Sequence, residues 1–189
     1  MICARFQKIV LDQHNSRMKI TFFTLFVLFF LTSCQDEQKD HFSSKSLAQK
    51  VYNTEMQKND VQNVLDAHLG EKVIIEIWAS WCGDCIKSLP EVAEFQSKNP
   101  DIPFIFFSVD DTEEQWRNGL AKHMDKFEIQ GEQYFFNTGW NKNGENEFIE
   151  YIQLNWIPRF LLLDEKGNIE VFNAKKINSN RLQNQLNIK

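Results

Sequence analysis

The sequence predicts an α/β domain. Short, nearly continuous apolar runs at residues 73–79 and 103–109 are what strands buried on both faces of a sheet require. Between and after them, apolar residues recur at helical spacing. The alternation of the two patterns points to a largely parallel sheet covered by helices.

Taken in order, residues 46–56 carry Leu47, Val51 and Tyr52 at a spacing that suggests a weakly amphipathic helix. A second helix is expected over 60–69, with Val61, Val64, Leu65 and Leu69 on one face, Asp60 as N-cap and Gly70 as the stop. The strand at 73–79 runs into Cys82-Gly83-Asp84-Cys85, after which Ile86, Leu89, Val92, Ala93 and Phe95 keep helical period as far as the Asn99-Pro100 breaker. Pro90 falls inside this stretch, where it either kinks one helix or restarts a second. Following the strand at 103–109, Asp111 or Thr112 caps a helix with Trp116, Leu120 and Met124 on its inner side. Tyr134-Phe135-Phe136 is a short strand candidate and 147–154 a short helix. Residues 159–164 and 169–172 flank Glu165-Lys166-Gly167-Asn168, the pattern of a β-hairpin. Ser179 caps a last helix carrying Leu182 and Leu186.

A chain of 189 residues suffices for one ordinary domain and a short appendage. With 42% hydrophobic and 25% charged residues it is not disordered throughout. Its net charge of -5 and the lack of any long Lys/Arg run leave no footprint for a phosphate backbone, which excludes nucleic acid as a partner.

The N-terminus reads as a targeting segment. Lys19 precedes an apolar run over 22–31, shorter than the roughly 20 residues a membrane span needs but suited to a signal-peptide core. Leu31-Thr32-Ser33-Cys34 then resembles a bacterial lipobox, in which the cysteine is lipidated and becomes the first residue after cleavage. The expected organisation is a signal peptide over 1–33, with translation starting at Met1 or Met18, a lipidated tether over 34–45, and a folded domain over 46–189. Cys34 would hold the chain to a membrane in the cell envelope, facing the periplasm. The acidic stretch after it also resembles the surface-export tethers of some lipoproteins. Cleavage removes Cys3 and lipidation consumes Cys34, so Cys82 and Cys85 remain as the free thiols. Two cysteines three apart constrain almost none of the chain, which makes them a reactive pair and not a structural framework.

At the start of a helix, unpaired backbone N–H groups and the positive end of the helix dipole favour a thiolate, and Cys82 is placed there. Cys85, one turn on, is near enough to resolve a mixed disulfide formed at Cys82. Gly83 keeps the approach to the pair unobstructed. Glu76 stands inside an apolar strand, so its carboxyl is expected to be desolvated and to hold a proton near neutrality, from which it can serve Cys85 as a base; the alternative is a strand glutamate facing solvent. Pro158, between a helix candidate and a strand, is placed for a cis bond that sets Ile157 beside the cysteines and exposes its backbone to an extended substrate; the alternative is a proline that opens a strand. Trp81 and Trp156 could rim a peptide site or simply pack. His68 and His123 lie at no ligand spacing.

These residues resemble the thioredoxin superfamily, and within it the TlpA-like envelope thiol-disulfide oxidoreductases. The carriers are Trp78-Ala79-Ser80-Trp81-Cys82-Gly83-Asp84-Cys85, Pro90 five residues after the second cysteine, Glu76 where a buried acid stands, and Ile157-Pro158 where a cis-proline stands. The resemblance covers residue 60 to the C-terminus. It implies a thioredoxin-like fold, a central mixed sheet flanked by helices, with an extra strand and helix between Asp110 and Asn155 before the cis-proline. It also implies protein or peptide disulfides as substrates, bound near Trp81, Ile157 and Pro158, an upstream thiol electron donor, and no cofactor or metal. Asp84 departs from the family pattern, which has proline there; a carboxylate beside the thiols opposes the Cys82 thiolate and leaves the direction of electron flow open between a reductase and an oxidase or isomerase. A metal-delivery module using the two thiolates is the rival of a different class, and it would need further soft or imidazole ligands that are not near in sequence. The Pro-x-x-x-Thr-x-x-Cys pattern of a peroxidase is absent.

Overall fold

Seven strands form one mixed sheet in the order β2-β1-β5-β4-β3-β6-β7. The computed structural model describes residues 39–140 and 144–186; the proposed signal peptide over 1–33, the Met18 start and Cys34 lie outside the described residues. The elements are α1 (Ser44–Leu47), β1 (Lys50–Tyr52), β2 (Lys58–Asp60), α2 (Val61–Asp66), β3 (Val73–Trp78), α3 (Gly83–Lys98), β4 (Phe104–Ser108), α4 (Glu113–Gly119), β5 (Glu132–Phe135), α5 (Glu147–Tyr151), β6 (Arg159–Leu163), β7 (Ile169–Ala174) and α6 (Asn180–Gln185). A π turn (Leu120–Met124) and a 3₁₀ turn (Asp125–Phe127) extend α4.

The core strands β3, β4 and β5 are parallel, while β6 and β7 add antiparallel on one side and β1 and β2 on the other. Every residue of β3, β4 and β6 is buried, which is why these segments lack the alternation of a half-exposed strand. Register and the two-residue period divide the side chains between two faces. Ile74, Glu76 and Trp78 share one face with Phe104, Phe106 and Ser108; Ile75 and Ile77 share the other with Ile105 and Phe107. Helix α3 covers the first face, where Phe95 meets Phe104 edge-on with ring centroids 5.9 Å apart, and α4 joins it by stacking Trp116 on Phe135 at 5.5 Å. Helix α5 covers the second, with Phe148 5.5 Å from Phe107. An aromatic side chain buried in this way stabilises the fold by roughly 1.5–3 kcal/mol over its exposed state.

Pro90 sits inside α3, which continues through it from Gly83 to Lys98 as one helix. The 164–168 turn is closed by Asp164, whose Oδ1 accepts from the backbone N–H groups of Lys166 and Asn168 at 2.9 and 2.7 Å, with Gly167 at φ 79°. Thr112 caps α4, its hydroxyl accepting from Gln115 N at 3.2 Å.

The N-terminal part differs most from the sequence reading. The helix expected over 46–56 is a single turn, α1, followed by the β1–β2 hairpin. Leu47, Val51 and Tyr52 are too few to make a helical face, whereas Asn53 Oδ1 accepts from Glu55 N and Gln57 N, and Met56 takes a left-handed φ of 59°, which together turn the chain back on itself. Helix α2 stops at Asp66, short of the expected Leu69, and Leu69 is exposed. Asp60 occupies the N-cap position, but its carboxylate pairs with Lys50 across the hairpin and makes no capping bond. The described part of the expected tether, residues 39–45, lies against the domain. Lys39 Nζ donates to Tyr151 O at 2.7 Å, Ile169 N to Asp40 O at 2.8 Å, and Phe42 stacks on Phe148 at 5.2 Å. Among the described residues no helix is long and apolar enough to cross a membrane.

Candidate active site

The cysteine pair stands where β3 leaves the sheet. Val109 N donates to Trp78 O at 2.9 Å, holding the ends of β3 and β4 together, and Cys82 N donates to Ala79 O at 3.1 Å, turning the chain into α3. Cys82 is the N-cap of that helix. Its Sγ accepts from Cys85 N at 3.0 Å, in the way a serine or aspartate oxygen caps other helices. The same N–H and the helix N-terminus favour negative charge on this sulfur. Cys82 and Cys85 are joined as a disulfide with Cα atoms 5.3 Å apart. Cys82 retains 7% exposure and Cys85 none, so an incoming group can reach only the first sulfur without rearrangement. A side chain at Gly83 would meet nothing within 4 Å, so the fold does not require glycine there and the space beside Cys82 is open.

The peptide bond between Ile157 and Pro158 is cis, and Ile157 O lies 3.7 Å from Cys82 Sγ. Trp156 Nε1 donates to Pro158 O at 3.2 Å. The structure therefore brings Cys82, Cys85, Ile157 and Pro158 together, although the two segments are 75 residues apart. Trp81 and Trp156 are both exposed. Trp81 meets Trp140, ring centroids 6.0 Å apart, and Lys175 Nζ sits 3.0 Å from the centre of the Trp156 ring.

Glu76 is fully buried on the face that α3 covers, six residues before Cys82, and faces no solvent. Neither of its carboxyl oxygens has a hydrogen-bond partner among the described residues. Burial pushes its pKa up to about 8, so the group is protonated at neutral pH. Asp84 is exposed and its carboxylate lies 3.3 Å from Lys87 Nζ. In water and beside a cation its influence on the thiols is weaker than its place in the motif suggests.

Sequence reasoning missed Asp110 and Trp140. Asp110 is wholly buried just past β4. It accepts from Ser80 N at 3.0 and 3.1 Å, from Ser80 Oγ at 2.6 Å and from Ser108 Oγ at 2.7 Å, so it ties the loop that leads into Cys82 to the end of β4. The available signal was a carboxylate directly after a buried strand, one residue past the apolar run. Trp140 gave none, because only the path of the long segment after β5 carries it to Trp81. His68 is far from the cysteines, at the opposite ends of the strands. Its ring nitrogens contact Glu71 Oε1 at 3.0 Å and Glu132 Oε1 at 3.1 Å, beside a cavity of about 530 Å³. Among the described residues no three His, Cys, Asp or Glu side chains are placed to hold a metal ion.

A cysteine pair that caps a helix after a central strand, facing a cis-proline, on a mixed sheet flanked by helices, defines a dithiol–disulfide site on a thioredoxin-type scaffold. The chain belongs to the thioredoxin-like family, whose model matches residues 70–169, just over half of the chain. It is 27% identical over 101 residues to the sporulation thiol-disulfide oxidoreductase A of Bacillus subtilis; the match takes in 53% of this chain and 58% of that relative, so less than two thirds of the relative's length is spanned. A solution structure of a candidate thiol-disulfide oxidoreductase from Bacteroides vulgatus superposes with a TM-score of 0.59 at 24% identity, over 82% of this chain and 95% of the other. A secreted disulfide oxidoreductase of Mycobacterium tuberculosis superposes with a TM-score of 0.52 at 14% identity, over 76% and 95%. At these identities the two structures establish the shared fold.

Proposed function

We propose that this chain is a thiol-disulfide oxidoreductase of the bacterial cell envelope, working in the reducing direction on protein or peptide disulfides. The observation that carries the reading is the asymmetry of the pair: Cys82 caps α3 and keeps some exposure, while Cys85 has none. The Cys82 thiolate attacks a substrate disulfide, forms a mixed disulfide and releases one substrate thiolate. The Cys85 thiolate then attacks Cys82 Sγ, releasing the second substrate thiolate and leaving the Cys82–Cys85 disulfide. Two electrons pass from the dithiol to the substrate, and an upstream thiol donor returns them. With its pKa at about 8, Glu76 is ionised in a minority of molecules at neutral pH; that form takes the Cys85 proton and passes it to solvent afterwards. Ile157 offers its backbone to an extended substrate beside Pro158, and Trp81 forms part of the rim.

An envelope location rests on the signal-like run before Cys34, with lipidation of Cys34 as the anchor. The names of two similar proteins, one assigned to sporulation and one secreted, agree with it.

The test is trapping. C85S is expected to accumulate mixed disulfides through Cys82 under oxidising conditions, and C82S none; equal trapping by both variants defeats the assignment of nucleophile. Direction is read from the reduction potential: a value near the roughly -270 mV of thioredoxin supports a reductase, and one near the roughly -120 mV of the oxidase DsbA rejects it. Loss of a mass corresponding to diacylglycerol in C34S checks the anchor.

A further inference from the structure

Arg159 has no part in the exchange chemistry, yet its burial needs explaining. It follows Pro158 on β6 and is 1% exposed. Its backbone pairs with Ile77 of β3, so the side chain leaves the sheet on the face opposite Glu76. The two buried ionisable groups occupy adjacent register positions on neighbouring strands, and the pleat keeps them from pairing. Arginine remains charged in proteins, and withdrawing that charge from water is costly. What the guanidinium obtains in return is two hydrogen bonds: Nη1 donates to Ile152 O at 3.3 Å and Nη2 to Asn155 Oδ1 at 2.9 Å.

Both acceptors lie in the turn that leads from α5 to Ile157. That turn contains Gln153 at a left-handed φ of 49°, a conformation that non-glycine residues hold only when their surroundings impose it. A guanidinium is planar and gripped at two points, so it fixes orientation as well as distance. Its own backbone is held in the β3–β6 ladder. The side chain thus joins the β3–β6 ladder to the turn that presents Ile157 O, 3.7 Å from Cys82 Sγ.

We infer that Arg159 is the positioning residue of the substrate ledge: by fastening the 152–157 turn to the sheet it fixes the Ile157 backbone where an extended peptide disulfide must pair. The inference rests on the redox reading above and concerns how that site selects its substrate. A peptide needs the ledge; a small aromatic disulfide with no backbone does not. Removing one acceptor therefore weakens reaction with the peptide and spares reaction with the small molecule.

The experiment compares single-turnover rates of the pre-reduced full chain with a cystine-bridged peptide and with 5,5′-dithiobis(2-nitrobenzoate). Asn155 is exposed, so N155A leaves the core intact where a direct change at Arg159 risks the fold. N155A is expected to raise the half-saturating peptide concentration about ten-fold, the effect of one hydrogen bond, with the limiting rate and the small-disulfide rate unchanged. N155D, whose carboxylate still accepts from Nη2, is expected to stay within about two-fold of the unaltered chain. An unchanged peptide dependence in N155A, or an equal loss with both disulfides, overturns the assignment. If the unaltered chain reduces neither disulfide, the redox reading itself has failed, and that result is distinct from either of these.

Discussion

Two neighbouring strands each deliver a buried carboxyl group to the same end of the sheet, and the groups have opposite surroundings. Asp110, past the end of β4, is ringed by donors from Ser80 and Ser108. Glu76, inside β3, has none among the described residues. A buried carboxylate with its acceptor sites occupied is a structural clasp. One left without partners must hold a proton or pay heavily in free energy, and it keeps that proton in reserve. Equal burial therefore yields a fastening in one strand and an unpartnered, protonated acid in the next, and the difference lies in the local supply of N–H and O–H groups.

The largest expected effect is on the Glu76 side. E76Q keeps the shape and removes the titration. The folded state holds the proton from the ordinary value of 4.5 up to about 8, while the unfolded chain releases it near 4.5. The protein therefore loses stability as pH rises across that window, by about 1.4 kcal/mol for each unit between the two values. Urea unfolding of E76Q between pH 5 and pH 9 is expected to lack this decline, leaving the variant more stable than the unaltered chain at pH 9; parallel pH profiles would show that Glu76 does not titrate as its burial implies. In the same variant, resolution of a Cys82 mixed disulfide is expected to slow by about 10²-fold, read by quenched-flow release of the second substrate thiol.

Next in size is the clasp. D110A removes the acceptor from three donors and is expected to lower unfolding free energy by about 2–4 kcal/mol, read by urea unfolding. A loss below about 0.5 kcal/mol would mean that the Ser80 loop is held by other contacts. A smaller effect comes from the packing that supports the same loop. A methyl group at Gly119 would stand 2.4 Å from Ser80 Cβ, so G119A is expected to cost about 1–3 kcal/mol despite the better helix propensity of alanine. Smallest is D84N. Its charge is exposed and paired with Lys87, so the alkylation pH profile of Cys82 is expected to move by only a few tenths of a unit.

The parts legible in sequence were those governed by strong local patterns. Strands β3, β4 and β6 read clearly because burial on both faces leaves an unbroken apolar run, and α3 because its apolar stripe continues through Pro90. Residues 46–56 read as a helix although they hold β1 and the hairpin turn, because that turn depends on the Asn53 side chain and on a left-handed Met56, neither of which carries a periodic signal. Leu69 was assigned to a buried face because periodicity does not reveal where a helix stops.

The cysteine spacing, the buried acid six residues upstream and the distant Ile157-Pro158 pair are written in the order of residues, and from them the sequence alone determined the scaffold and the chemical type of the site. Three things came only from the tertiary structure: that Cys82, not Cys85, keeps exposure; that Asp110 is fastened while Glu76 is left without a partner; and that Arg159 grips the turn beside the cysteines. Each depends on which groups from remote segments meet in space. A local pattern specifies the period of an element and its buried face, but the donors and acceptors around a buried group are supplied by other strands, and only the folded chain sets them in place.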